Sequence, residues 1–255
     1  MALIEQGLND CEVARRLGIP RGTIRDWRRP RYVSRRQTPL ETCPRCWRPA
    51  RPIRFTPDDY AELLGLYLGD GCISEGARTQ RLRLSLDAKY PKMNGEVKGL
   101  LERCFPKNAV RTVSPGPSAW SGRSDTLVVL SVYSKHLACL FPQHGIGKKH
   151  DRRIRLEPWQ RDLLDAAPWS FVRGCIRSDG CAFINRTDVH RPKPYEYLSY
   201  QFSNKSKDIV DLFVAACERV GVMTRVNCDR GGRWDVRINQ RPSVKLMLAH
   251  VGFKS

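Results

Sequence analysis

Asp70 and Asp179 each sit in a small residue-Asp-Gly step at the end of an apolar segment, as Gly69-Asp70-Gly71 and Ser178-Asp179-Gly180, 109 residues apart. A single Asp-Gly closes many helices before a turn. Two copies in the same setting point instead to a pair of carboxylates that work together. Such a pair holds a divalent cation, and its hard oxygen donors favour Mg²⁺. A cation held there activates water and stabilises a leaving 3′ oxygen, the requirements of phosphodiester hydrolysis. Other chemistries find no support. His136, His144, His150, His190 and His250 form no HExxH or HNH arrangement, and no cysteine has the setting of a nucleophile. His144 or His150, near Lys148, could at most touch a phosphate.

The acids need elements that bring them together, and the sequence supplies a repeat. Tyr60–Ile73 and Trp169–Phe183 both read as an apolar helix with a mid-helix glycine, Gly65 or Gly174, ending in the aspartate and leading into a strand. A glycine inside a helix costs ~1 kcal/mol relative to alanine, so its repetition implies close helix–helix contact. Gly69 and Ser178 extend the stripe of small residues. Two such helices packed together would deliver Asp70 and Asp179 to one point at the base of two sheets. The strands read from alternation. Leu82, Leu84 and Leu86 alternate with Arg81, Arg83 and Ser85; Leu198, Tyr200 and Phe202 with Tyr197, Ser199, Gln201 and Ser203; Trp234, Val236 and Ile238 with Arg233, Asp235, Arg237 and Asn239. A further strand is expected over 126–133, and helices over 92–104 and 207–220. Alternation of this kind predicts half-buried antiparallel sheets. Their open faces, rich in Arg, Asn, Gln, Ser and Tyr and poor in Glu, suit a sheet lying on DNA.

The composition points the same way. Forty-five Lys and Arg against 26 Asp and Glu give +19 and a pI near 9.9, a surplus that a polyanion would neutralise. No amphipathic basic helix with an aromatic face supports a peripheral membrane role, and no run nears the ~18 apolar residues of a span. Nothing at the N-terminus resembles a cleavable signal, so a soluble cytoplasmic protein working at the bacterial nucleoid is expected. Residues 1–29 read as a helix-turn-helix: Asp10 caps a helix through Leu17, Gly18 turns, and a third helix carries Arg21, Thr23 and Arg25, with Arg28 and Arg29 beside it. Residues 30–56 form a basic linker holding Cys43-Pro44-Arg45-Cys46, a knuckle that could hold Zn²⁺ if other ligands join it. Most of the ten cysteines are expected to be small buried hydrophobes rather than disulfides.

The two motifs, LLGLYLGDG at 63–71 and VRGCIRSDG at 172–180, resemble those of the LAGLIDADG homing endonucleases in their single-chain, two-repeat form. The resemblance covers about residues 57–255. It implies an α+β fold in which the helix-turn-helix precedes two pseudo-symmetric αββαββα repeats, 57–168 and 169–255, forming a DNA-binding saddle. It also implies that Asp70 and Asp179 bind Mg²⁺ or another divalent cation, helped by the main-chain carbonyls of Gly69 and Ser178. A lysine late in each repeat would stand near the attacking water: Lys148 or Lys149 in the first, Lys254 in the second. Arg173 and Arg177 depart from the family pattern, and Arg177 could instead pair with an acid.

Two functions follow. The first is sequence-specific binding of double-stranded DNA by a monomer, with Mg²⁺-dependent cleavage. The second is a transcriptional regulator that keeps the fold without cleaving. Intact acids in both motifs favour the first, and the N-terminal module gives weight to the second. A recombinase or transposase would leave the repeat unexplained.

Overall fold

The computed structural model describes residues 8–18, 21, 56–76, 78–113, 126–187 and 195–254. The chain divides into two units, Met1–Pro52 and Ile53–Ser255. In the first, helix α1 spans Asp10–Leu17. Its cap is Asn9 rather than Asp10: the Asn9 side chain accepts from the Glu12 amide at 3.0 Å. Asp10 instead joins Glu12 in the first turn, where carboxylates suit the positive end of the helix. Gly18 closes the helix at φ 65°, a left-handed conformation that glycine adopts without a Cβ clash. Arg21 is exposed. The rest of the expected third helix, with Thr23, Arg25, Arg28 and Arg29, and the knuckle cysteines Cys43 and Cys46 lie outside the described residues.

The second unit is α+β and built twice over. Helix α2 (Pro57–Leu68) starts at Thr56, whose hydroxyl accepts from the Asp59 amide at 3.1 Å, with Pro57 set in the first turn. Every residue from Tyr60 to Leu68 is buried, which accounts for a segment that is apolar all round except at Glu62. There follow β1 (Gly71–Glu75), β2 (Gln80–Asp87), α3 (Pro91–Cys104), β3 (Arg111–Val113), β4 (Leu127–Ser134), the single turn α4 (Leu137–Leu140), a 3₁₀ turn (Lys149–Asp151) and α5 (Pro158–Ala166). The order then recurs as α6 (Pro168–Asp179), β5 (Gly180–Thr187), β6 (Tyr195–Asn204), α7 (Lys207–Arg219), β7 (Arg225–Cys228), β8 (Trp234–Ile238) and α8 (Arg241–His250). Both sheets are antiparallel and four-stranded, with the equivalent orders β1-β2-β4-β3 and β5-β6-β8-β7. Leu82, Leu84, Leu130 and Val132 on the first, and Tyr200, Phe202, Val236 and Ile238 on the second, are buried with the motif helices in one core.

Several expectations are corrected. Arg233 lies just before β8, which starts at Trp234. Strands β3 and β7 are exposed at every residue, so burial leaves no alternation for the sequence to show. Among the described cysteines Cys104, Cys175 and Cys217 are buried, but Cys11, Cys72, Cys181 and Cys228 are exposed free thiols, and Cys139 is disulfide-bonded. Among the described residues no helix is long and apolar enough to cross a membrane.

Candidate functional site

The site begins with the crossing of α2 and α6. A Cβ placed on Gly65 would stand 2.7 Å from the Phe171 carbonyl oxygen and 2.8 Å from the Cys175 amide nitrogen. One placed on Gly174 would run into the Glu62 carbonyl oxygen and lie 3.1 Å from the Gly65 Cα. The two mid-helix glycines therefore let backbone meet backbone. At the next level down, a Cβ on Gly69 would collide with the Ser178 side chain and sit 3.1 Å from Asp179 Oδ2. The helices consequently end side by side, and Asp70 and Asp179 share one half-buried place at their C-termini.

Burial first, and then the Asp179 carboxylate, push Asp70 up to about 6, against the opposing pull of Lys254 and Lys149. Burial raises Asp179 also, but there the Asn204 amide, donating to Oδ2 at 2.7 Å, favours the charged form. Asn204 lies two residues beyond Phe202, which pairs with Gly180; the matching place in the first repeat, two beyond Leu84, holds Leu86. The repulsion between the acids thus falls on Asp70, the partner without an amide donor of this kind.

Each repeat sends a lysine here. The Lys149 ammonium donates to the carbonyls of Tyr67 at 2.5 Å, Gly69 at 2.7 Å and Gly71 at 2.8 Å. Lys254 donates to the Ser178 carbonyl at 2.8 Å. Lys148 is exposed and lines the neighbouring cavity. Burial pushes Lys149 down to about 8 although Asp179 and Asp70 pull it up, and burial lowers Lys254 likewise. A cavity of about 530 Å³ opens beside these groups, lined in part by Tyr67, Cys72, Lys148, Asp179, Asn204, Lys205 and Arg233.

Arg173 and Arg177 take no part in it. Both pair with Glu62, which is 7% exposed; Arg177 also pairs with Glu96, and Arg173 donates to the His250 carbonyl at 3.1 and 3.2 Å. A buried carboxylate needs such partners. Sequence reasoning missed Glu62 and Asn204. An acid inside an otherwise apolar motif helix, with two arginines in the facing motif, was the available signal for Glu62.

The open faces of the sheets differ from each other. On the first, Arg81 donates to Ser131 Oγ at 3.1 Å, and both Arg81 and Arg111 lie over the Tyr133 ring. Arg83 reaches the Cys72 sulfur at 3.6 Å. The Nε atoms of Arg81 and Arg83 are buried without a hydrogen-bond partner. On the second, Gln201 donates to Ser203 and Ser203 to Asp235, at 3.0 and 2.6 Å. Arg237 and Asn239 are exposed, Arg233 is exposed and paired with Asp229 and Asp235, and Ser199 is covered by its neighbours at 3% exposure.

Half-buried carboxylates with raised pKa values make a stability statement. Between its ordinary value of 3.8 and about 6, Asp70 holds its proton more tightly folded than unfolded. Its contribution is therefore greatest at low pH and is lost as pH rises through 6. Asp70→Asn should accordingly stabilise the metal-free protein by about 2 kcal/mol at pH 7.5 and by little at pH 4. Denaturant titrations of the two proteins across that range measure the difference, and a pH-independent difference would contradict the assignment.

No protein-family model matches the chain, and no curated protein matches it. Solved structures do. The homing endonuclease I-DmoI in complex with DNA and Mn aligns over 78% of this chain and 98% of its own, at TM-score 0.51 and 16% identity. A variant of I-DmoI with its target DNA in the presence of 2 mM Mg aligns over 77% and 96%, at TM-score 0.50 and 17% identity. The N-terminal LAGLIDADG domain of DUF199/WhiA aligns over 81% and 86%, at TM-score 0.47 and 13% identity. At such identities the likeness concerns the fold alone. The second unit of this chain has the two-repeat LAGLIDADG fold shared with I-DmoI.

Proposed function

We propose that the chain binds double-stranded DNA sequence-specifically and cleaves it by Mg²⁺-dependent phosphodiester hydrolysis. The observation that carries this reading is the meeting of Asp70 and Asp179, one from each repeat, at the glycine crossing. The donor set fits a hard divalent cation: two carboxylates, with the carbonyls of Gly69 and Ser178 next in sequence to them. Each of those carbonyls accepts a lysine hydrogen bond, and each oxygen keeps a second lone pair. When bound, the cation would supply an activated water and stabilisation of the leaving 3′ oxygen. The chain does the positioning. Lys149 ties together three carbonyls of the turn that carries Asp70, Lys254 holds the end of α6, and Asn204 orients Asp179. The arginines of the open faces and the net charge of +19 favour phosphate contacts, and Arg21 and Arg25 of the N-terminal unit would extend the footprint into a major groove. Zn²⁺ at Cys43 and Cys46 would serve only to brace the linker.

One observation favours a second reading, a regulator that binds without cutting. The Lys149 and Lys254 ammonium groups already offset the two carboxylates and engage the adjacent carbonyls, an arrangement that is complete without a cation. Incubating the protein with a randomised duplex library, with and without Mg²⁺, and sequencing both bound and cut molecules decides between them. Cleavage within the enriched sequence is the expected result; enrichment with no cut in Mg²⁺ or Mn²⁺ would establish the regulator.

A further inference from the structure

Cys72 and Cys181 occupy the same place in the two repeats, two residues after each aspartate, and both are exposed free thiols. Register puts both on the open faces. Cys72 pairs with Arg83 and Cys181 with Gln201, while the intervening Ile73 and Ala182 pair with the inward residues Leu82 and Tyr200. Each thiol also begins a row that runs across its sheet to arginine. The first row is Cys72, Arg83, Ser131, Arg111; the second is Cys181, Gln201, Arg237, Arg225. Cys72 lies within electrostatic reach of Lys149, and Cys181 within reach of Lys254. The Arg83 guanidinium touches the Cys72 sulfur, and its Nε, buried and unpaired, is a donor with nothing to bind.

The other described free thiols differ. Cys104, Cys175 and Cys217 are buried. Cys228 is exposed, but it pairs with Trp234, three residues from Arg237 and so on the other face of the sheet, and Cys11 belongs to the other unit. Accessible sulfur at the head of a row that runs to arginine therefore occurs twice, and both times on the surface proposed to hold DNA.

We propose that Cys72 and Cys181 are matched thiol-modification sites, which take a carboxylate-bearing low-molecular-weight disulfide and thereby release DNA. The cysteine sulfur attacks one sulfur of the disulfide and a protein–ligand S–S bond forms. The original S–S bond breaks and its other half leaves as a thiolate, while the cysteine proton passes to solvent. The protein sulfur is oxidised and the departing sulfur reduced, so no further oxidant enters. The neighbouring cations attract the carboxylates of the incoming disulfide. Once attached, the adduct fills the row and places negative charge where phosphate would lie. The modification stands on the thiols alone; its effect on DNA rests on the function proposed above.

Oxidised glutathione is the probe. Full-length protein is treated with it, adducts are mapped by mass spectrometry, and DNA affinity is measured before and after treatment, then again after reduction. Adducts at Cys72 and Cys181 and a loss of affinity of at least tenfold, restored by reductant, are expected. The same treated-to-untreated ratio should stay near one in Cys72→Ser/Cys181→Ser and should match wild type in Cys11→Ser/Cys228→Ser. Failure of both thiols to form adducts overturns the proposal, as does an equal loss of affinity in Cys72→Ser/Cys181→Ser. If untreated protein binds no DNA, the proposed function fails, and adduct mapping still decides whether the thiols are modification sites.

Discussion

Asp70→Asn and Asp179→Asn should each abolish cleavage of both DNA strands, by at least about a thousandfold, while changing DNA affinity less than about threefold. Both substitutions keep the size and shape of the side chain and remove the charge that a divalent cation requires. The two acids share one place because Gly69 abuts Ser178 and Asp179, so the loss of either spoils a site common to both repeats. On the proposed reading, affinity depends on other groups. Arg81, Arg83 and Arg237 stand on the sheets, and phosphate contacts supply most binding energy of this kind. Plasmid cleavage with Mg²⁺, followed for nicked and linear products, measures the first effect, and a gel-shift titration in Ca²⁺ measures the second. Undiminished cutting by both variants would dismiss the shared centre.

Gly174→Ala should destabilise the protein by about 2 kcal/mol, against the trend for a helix interior. Intrinsic propensity alone favours alanine over glycine there by about 1 kcal/mol. The added methyl would meet the Glu62 carbonyl oxygen, its carbon at 3.0 Å and the Gly65 Cα at 3.1 Å, all of them backbone atoms that cannot swing aside. Overpacking of a close contact costs about 1–3 kcal/mol or more, so the clash wins. Gly95→Ala is the control. It lies inside α3, exposed, with nothing within 4 Å of a Cβ, and should gain up to about 1 kcal/mol. Denaturant midpoints of the two variants should therefore move in opposite directions. A Gly174→Ala protein as stable as wild type would mean that the helices are not in backbone contact.

Those glycines were legible in the sequence because their penalty has no local compensation, and a repeated local cost needs a tertiary reason. The sheets were legible where one face is buried, as in Leu82, Leu84 and Leu86. They were not at β3 and β7, where every residue is exposed and pairing alone defines the strand. Asn204 could not be found from its type, since an asparagine at a strand end commonly starts a turn, and only the fold carries its amide to Asp179. Ser199 shows the opposite limit. Its period placed it on an open face, as the register of β6 also does, yet neighbouring side chains cover it. Alternation reports the side of a sheet, whereas exposure depends on the size of what stands alongside. Of the two lysines offered for the first repeat, adjacent in sequence, the start of the 3₁₀ turn at Lys149 settles which one points inward.

The backbone of the second unit repeats itself in strand order, but its two open faces carry different alphabets. One presents arginines braced on Tyr133; the other presents an amide, a hydroxyl and a carboxylate joined in a relay from Gln201 to Asp235. A homodimer would be obliged to offer the same face twice and so to prefer palindromes. Two halves in one chain are under no such obligation, and because these two differ the molecule has a left and a right. A duplex seated on it would have a head and a tail, and reversing the duplex would put every contact out of place.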